Sequence, residues 1–142
     1  MSQPFINAIS RYIDVTQDNI HTVLDIGSRD ALSSVDFARI FPRAKIYAFE
    51  ANPEAFPVCC ANAAPYPNIL CIAGALYNED TDITFYPIDM TRSPHKSIGS
   101  SSIFKVDCST PGFPQEWQWV QKEITVEAAR LDTFIKQNAL GP

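Results

Sequence analysis

An α/β fold, a parallel sheet covered by helices, is the architecture this sequence predicts, and three observations predict it. The runs Thr22-Val-Leu-Asp-Ile-Gly27 and Lys45-Ile-Tyr-Ala-Phe-Glu50 are short, mainly apolar and closed by a turn or charged residue, the pattern of strands buried on both faces. One helix-sized segment separates them, which suits two parallel neighbours joined by a crossover. A third run, Asn68 to Ala73, repeats the pattern after a second helix-sized segment.

The elements follow in order. Pro4 to Asp14 puts Phe5, Ile6, Ile9, Tyr12 and Ile13 on one helical face, with Ser2 as a start signal, so residues 1–20 are assigned to an N-terminal helix. After the first strand, Ser33 to Phe41 presents Val35, Ile40 and Phe41 and ends before Pro42. Asn52 is expected to cap a helix with Pro53 at its first position, running to about Ala63. Pro57 inside it should kink or delay it. The strand Asn68 to Ala73 leads into Gly74-Ala75-Leu76, and Ile83 to Ile88 alternates as a strand that Pro87 places at a sheet edge. Asp89 to Ser102 reads as a mobile loop. Val106 to Trp119 is rich in proline and carries Phe113, Trp117 and Trp119, which form either an exposed binding surface or, the favoured reading, a small core under the loop. Ile124 to Ala128 is a strand, and Asp132 caps a helix from Thr133 to Asn138. Residues 1–142 thus form a single domain, with a βαβαβ core at 22–76 and a hairpin with a loop excursion at 83–128.

A strand, a glycine turn, a helix and a parallel strand ending in an acid is a layout that holds an adenosine-containing cofactor, the acid taking the ribose hydroxyls. Here Asp25 and Gly27 close the first strand and Glu50 closes the second. The turn Gly27-Ser28-Arg29-Asp30-Ala31-Leu32 has one glycine, whereas a pyrophosphate needs several to reach backbone N–H groups, and Asp30 would repel it. That argues against a nicotinamide dinucleotide. A phosphate-free cofactor with a zwitterionic end, S-adenosylmethionine, fits. Arg29 would meet its carboxylate and Asp25 or Asp30 its ammonium; the alternative is that Arg29 and Asp30 form a solvated loop pair. Ser28 in the same turn, and Ala51 and Asn52 directly after the acid, complete this side of the candidate cofactor site.

The segments VLDIGSRDALSSVDFA, FPRAKIYAFEANPEAF, the asparagine Asn62, NILCIAGALYNED, Ser101-Ser102-Ile103 and VEAARLDTFI, in this order, resemble the FkbM family of class I S-adenosylmethionine-dependent methyltransferases from about Thr22 to Ile135. Phe49-Glu50-Ala51-Asn52-Pro53, similar to the family's Phe-Glu-x-Asn-Pro, and Leu131-Asp132 are the most specific pieces. The resemblance implies a Rossmann-like class I methyltransferase sheet with flanking helices. It also implies methylation of a hydroxyl on a small-molecule acceptor such as a saccharide. By the same resemblance, Gly74, Ala75 and Leu76 are expected beside the adenine, and Ser101 or Ser102 near the cofactor or acceptor; a plain strand end and a solvated loop are the alternatives. Two departures stand out. Many family members carry Gly-Ala-Asn-x-Gly where this chain has Gly27-Ser28-Arg29-Asp30-Ala31, which is harmless if Ala31 is helical and costly if its φ is positive. Family members also continue past the Leu-Asp helix into a further central strand, whereas this chain stops at Leu140-Gly141-Pro142. The sheet is therefore expected to be truncated before its fourth central strand, and no residue is assigned as the catalytic base. A catalytically inactive cofactor-binding fragment, associating with itself through an open sheet edge, is the competing expectation.

Composition narrows the alternatives. With 142 residues, 46% of them hydrophobic, one core can be built. A net charge of −5 and a pI near 4.8 without a basic cluster give no reason to bind nucleic acid. No apolar run reaches the roughly 20 residues of a membrane helix. Met1 to Arg11 lacks a signal-peptide pattern, so the expected location is the cytoplasm. Cys59, Cys60, Cys71 and Cys108 have no metal-ligand spacing, so no metal is expected, and Cys60 and Cys71 are read as small packed hydrophobes. His21 and His95 read as surface residues.

Overall fold

The computed structural model describes residues 6–8, 11, 19–94, 96–109, 111–113 and 119–140. Three parallel strands, β1 (Thr22–Ile26), β2 (Lys45–Glu50) and β3 (Ile69–Ala73), form one sheet in the order β1-β2-β3. Helix α1 (Leu32–Ile40) crosses from β1 to β2, and α2 (Phe56–Ala63) from β2 to β3. A second sheet, β4-β6-β5, joins β4 (Ala75–Tyr77), β5 (Thr81–Phe85) and β6 (Ile124–Arg130), with β4 and β6 parallel and β5 and β6 antiparallel. Helix α3 (Leu131–Gln137) follows β6 directly. This is an α/β fold with parallel and antiparallel pairing flanked by helices, consistent with a Rossmann-like class I methyltransferase fold.

Burial differs between the strands of the first sheet. Along β2, every residue from Ile46 to Glu50 is buried, because helices and side chains cover both faces. Ala48 packs with Ala31, Cys59 and Ala63 on one face. Tyr47 and Phe49 turn to the other, where Phe134 of α3 meets both edge-on, at 5.2 and 4.9 Å between ring centroids. Strand β1 forms the sheet's outer edge, and Ile26 at its end is 56% exposed.

Several boundaries differ from expectation for identifiable reasons. The second crossover helix starts at Phe56 rather than Pro53: Asn52 organises a separate turn, its carbonyl accepting from the Ala55 and Phe56 amides. Pro57 consequently lies in the first turn, where its missing N–H costs nothing, so it delays the helix instead of kinking it. Asp132 does not cap α3. Arg130 holds the cap position in extended backbone, and Asp132 sits in the first turn paired with the Arg130 guanidinium at 2.8 Å. Strand β5 begins at Thr81, two residues before the expected start, and runs only to Phe85; Tyr86 and Ile88 continue it as isolated bridges to Ser102 and Gln121. It is an edge strand, as Pro87 suggested. Most of the expected N-terminal helix lies outside the described residues. Residues 6–8 are helical, and Ile6 is buried against Phe41 and Ala44.

The excursion between β5 and β6 carries an aromatic contact and a tightly bonded acid-centred turn. Phe113 and Trp119 meet edge-to-face at 6.3 Å, both half-buried, in line with the packed reading; Trp117 lies outside the described residues. Asp89 is 3% exposed and accepts from the Thr91 hydroxyl at 2.6 Å and the Arg92 Nε at 2.7 Å, with the Thr91 and Arg92 amides beside them. The Thr91 and Arg92 hydrogen bonds hold the carboxyl well below the usual carboxylate range. A folded-state pKa below the unfolded one gives stability that is complete above about pH 4 and is lost as the pH falls further. Urea midpoints measured from neutral pH down to acid should therefore decline more gently for Asp89→Asn than for the parent. Parallel curves would show that this loop carries none of the acid lability.

Candidate functional site

The site is built where β2 and β3 end. Glu50, the last residue of β2, is 7% exposed, and its carboxylate is held by two backbone donors: the Arg29 amide to Oε2 at 2.6 Å and the Asn52 amide to Oε1 at 2.7 Å. A carboxylate oxygen accepts more than one hydrogen bond, so each retains a lone pair for a ligand hydroxyl. Glu50 lines a cleft of about 320 Å³ together with Ala51, Pro53, Phe56, Ala73 and Gly74 from the first sheet's side and Thr125 to Glu127 of β6. The cleft lies outside the carboxyl ends of parallel strands, the usual place for a ligand in such sheets.

The glycine turn sits beside this cleft at the end of β1. The Phe49 carbonyl accepts from the Gly27 and Ser28 amides at 3.0 and 2.8 Å and from the Ser28 hydroxyl at 3.1 Å, so the turn is fastened to β2. Ser28 is buried, with Cys59 Sγ 3.4 Å from its hydroxyl. Asp25 accepts from the Ser34 hydroxyl at 2.6 Å. The Arg29 guanidinium takes both Nε and Nη2 to Asp30 Oδ2, at 3.1 and 2.7 Å, which is the loop-pair alternative for these two side chains. Asn62, quoted above only within a motif, donates from α2 to the Asp30 carbonyl at 2.8 Å and braces the turn from behind.

Two non-glycine residues of the turn have positive φ, Arg29 at 52° and Ala31 at 56°. These are the positions where the family pattern has asparagine and glycine, the residues that tolerate the left-handed region. The costly case for Ala31 therefore holds. Because Ala31 is also fully buried in the α1–α2 core, Ala31→Gly trades strain relief of about 1 kcal/mol against a buried methyl worth about 0.8 kcal/mol. Urea denaturation should show a net change within about 1 kcal/mol. A larger loss would mean that the methyl's packing dominates.

On the far side, Gly74 bends the chain from β3 into β4 at φ 139°, its amide donating to the Glu50 carbonyl at 3.1 Å. Gly74 lines the cleft; Ala75 and Leu76 belong to β4, and Leu76 packs toward Tyr47, Phe49 and Phe134. Asn52 is 1% exposed and does not line the cleft; its side chain accepts from the Glu54 amide at 3.0 Å and donates to the Ser101 hydroxyl at 3.3 Å. Ser102 bridges to Tyr86, and its hydroxyl accepts from the Phe104 amide at 3.1 Å. Sequence reasoning missed Pro53, Phe56 and the Thr125–Glu127 wall. The wall residues come from about 75 positions downstream of Glu50, and no local pattern marks them.

Cys59 and Cys71 pack in the α2–β3 core with sulfurs 3.5 Å apart, so Cys59, rather than Cys60, is the fully buried partner of Cys71. Burial, followed by the hydrogen bond with Cys59, pushes the Cys71 thiol up to about 12. Among the described residues no group of three or more His, Cys, Asp or Glu side chains is arranged to hold a metal ion, and no helix is long and apolar enough to cross a membrane. His21 is exposed, and His95 lies outside the described residues.

No protein-family model matches the chain. Its sequence is similar to the 2-O-methyltransferase NoeI of Sinorhizobium fredii, 28% identical over 120 residues that make up 83% of this chain and 48% of that protein. The chain thus spans about half the length of this curated relative. A solved structure, the S-adenosylmethionine-dependent methyltransferase SibL in its apo form, aligns with 62% of this chain and 24% of its own, at 23% identity and a TM-score of 0.43.

Proposed function

We propose that this chain is the cofactor-binding part of an S-adenosylmethionine-dependent methyltransferase of FkbM type that methylates a hydroxyl of a saccharide or other small metabolite. The observation that carries this reading is the buried Glu50 carboxylate, held by two backbone amides with acceptor capacity left over, at the rim of a cleft between strand ends. The residues present suit an adenosine. Glu50 would take the ribose hydroxyls, and Ala51, Ala73 and Gly74 would flank the purine. Gly27 to Arg29, one strand over, would receive the amino-acid tail. Bound there, the cofactor supplies an activated methyl group on a sulfonium, and the protein's part is to orient it toward the acceptor. Similarity to a relative named as a 2-O-methyltransferase supports a hydroxyl acceptor.

Calorimetry with S-adenosylhomocysteine should show saturable 1:1 binding, and a methyl-transfer assay with hydroxylated acceptors tests turnover. Absence of binding would overturn the reading. A second reading, a cofactor-binding unit without turnover that acts through self-association, draws on the exposed outer edge of β1 and its half-open Ile26. Binding without turnover, with dimers in sedimentation, would favour it.

A further inference from the structure

Both donors that fix the Glu50 carboxylate belong to residues whose side chains reach the same distant segment. The Asn52 amide donates to Oε1, and the Asn52 side-chain amide donates to Ser101 Oγ at 3.3 Å. The Arg29 amide donates to Oε2, and the Arg29 side chain lies over Gly99, with Cδ and Nη1 only 3.5 and 3.6 Å from where a Cβ on that glycine would stand. Gly99 and Ser101 belong to a single short turn, the 3-10 segment Ile98–Ser100 and the residue after it. Ser101 Oγ is fully engaged: it accepts from the Asn52 side chain and from the Ile88 amide at 3.1 Å, and donates to the Ile98 carbonyl at 2.7 Å.

We infer that Ser101 is a positioning residue of the cofactor side: it fixes the turn at 98–101, which bears on the two backbone amides that orient Glu50, through Asn52 by a hydrogen bond and through the Arg29 side chain by its contact with Gly99. A serine hydroxyl has one proton and two lone pairs, and all three are in use, so Ser101 has no capacity left for an acceptor molecule. Asn52 transmits the constraint because its own backbone and side chain are satisfied at every polar atom, its carbonyl by the Ala55 and Phe56 amides. A buried asparagine with all partners fixed cannot rotate without breaking several hydrogen bonds together. The inference rests on reading Glu50 as the ribose-binding acid.

Two measurements on Ser101→Ala and Ser101→Thr, each checked for folding by circular dichroism, test it. Without ligand, amide hydrogen exchange at Arg29 and Asn52 should accelerate in Ser101→Ala and return toward the parent rate in Ser101→Thr, which keeps the hydroxyl. With S-adenosylhomocysteine, Ser101→Ala should bind about tenfold more weakly, the loss of one well-placed hydrogen bond at a charged site. In a Glu50→Gln background the same substitution should add nothing, whereas a merely structural role would weaken binding equally in both backgrounds. Unchanged exchange at Arg29 and Asn52, or equal losses in both backgrounds, would overturn the inference. Failure of the parent chain to bind would overturn the ribose reading and with it the cofactor role of Ser101, whereas accelerated exchange, which needs no ligand, would still show the lock on Glu50's two donors.

Discussion

Glu50→Ala is expected to weaken S-adenosylhomocysteine binding by about 1–3 kcal/mol, the range for removing a charged hydrogen-bond partner, and to lower stability as well. The first effect follows from the acid's place at the cleft rim, where ribose hydroxyls would donate to it. The second follows from its two backbone donors. With the carboxylate gone, the Arg29 and Asn52 amides, now 2.6 and 2.7 Å from its oxygens, lose their acceptor beside a residue that is 7% exposed. An unsatisfied buried donor costs about 1–3 kcal/mol where water cannot reach it. Glu50→Gln separates the two effects. The glutamine oxygen can still accept from one amide, while its NH₂ group faces the other donor, so stability should fall less than for alanine and affinity should remain reduced because the charge is gone. Calorimetry below each variant's unfolding midpoint, paired with urea curves, reads both quantities. Affinity unchanged in either variant would remove the ribose assignment.

The parallel core was legible in the sequence because its signal is local. Ile46 to Phe49 is an unbroken apolar run, and the structure buries every one of those residues. That a carboxylate ends the run was equally legible; that it fastens the glycine turn by accepting from the Arg29 and Asn52 amides was not. What stayed hidden depends on contacts distant in sequence. The helical reading of Pro53 to Ala63 followed from good start signals, yet Asn52 spends its carbonyl on a turn of its own and α2 begins at Phe56. Ser101 reads from the sequence either as a residue near the cofactor or acceptor or as part of a solvated serine loop, and neither reading names its partner. Only the fold places it 3.3 Å from Asn52, 49 residues earlier, and a polar stretch in sequence carries no trace of such a partner. Ala31 is instructive in another way: the sequence framed the question as the sign of one dihedral angle, and a φ of 56° answers it.

Gly74 is where the two sheets meet, and Gly74→Ala is expected to destabilise the protein by about 2–4 kcal/mol. From sequence it follows the third strand, either beside the adenine or as a plain strand end. In the structure it is a bend: the segment before it pairs with β2, the segment after it pairs with β6, and the change of direction uses a φ of 139° that residues with a Cβ rarely adopt. A Cβ built there would also stand 3.1 Å from the Glu127 carbonyl oxygen. That neighbour is backbone in the middle of β6, so relief requires shifting the strand itself, including the Ala75–Ala128 pairing next to it. Gly112→Ala serves as the control, because Gly112 has a φ of 90° with nothing within 4 Å of its would-be Cβ and so carries backbone strain without the clash. Urea denaturation should give a loss at Gly74 exceeding that at Gly112 by about 1 kcal/mol or more. Equal losses would mean that β6 yields freely and that strain alone is at work. Since Gly74 and Glu127 both line the cleft, the shift of β6 that the added methyl forces should also weaken S-adenosylhomocysteine binding in whatever fraction remains folded. Against a typical total of about 5–15 kcal/mol, one methyl at this bend removes a large share of what keeps the two sheets joined.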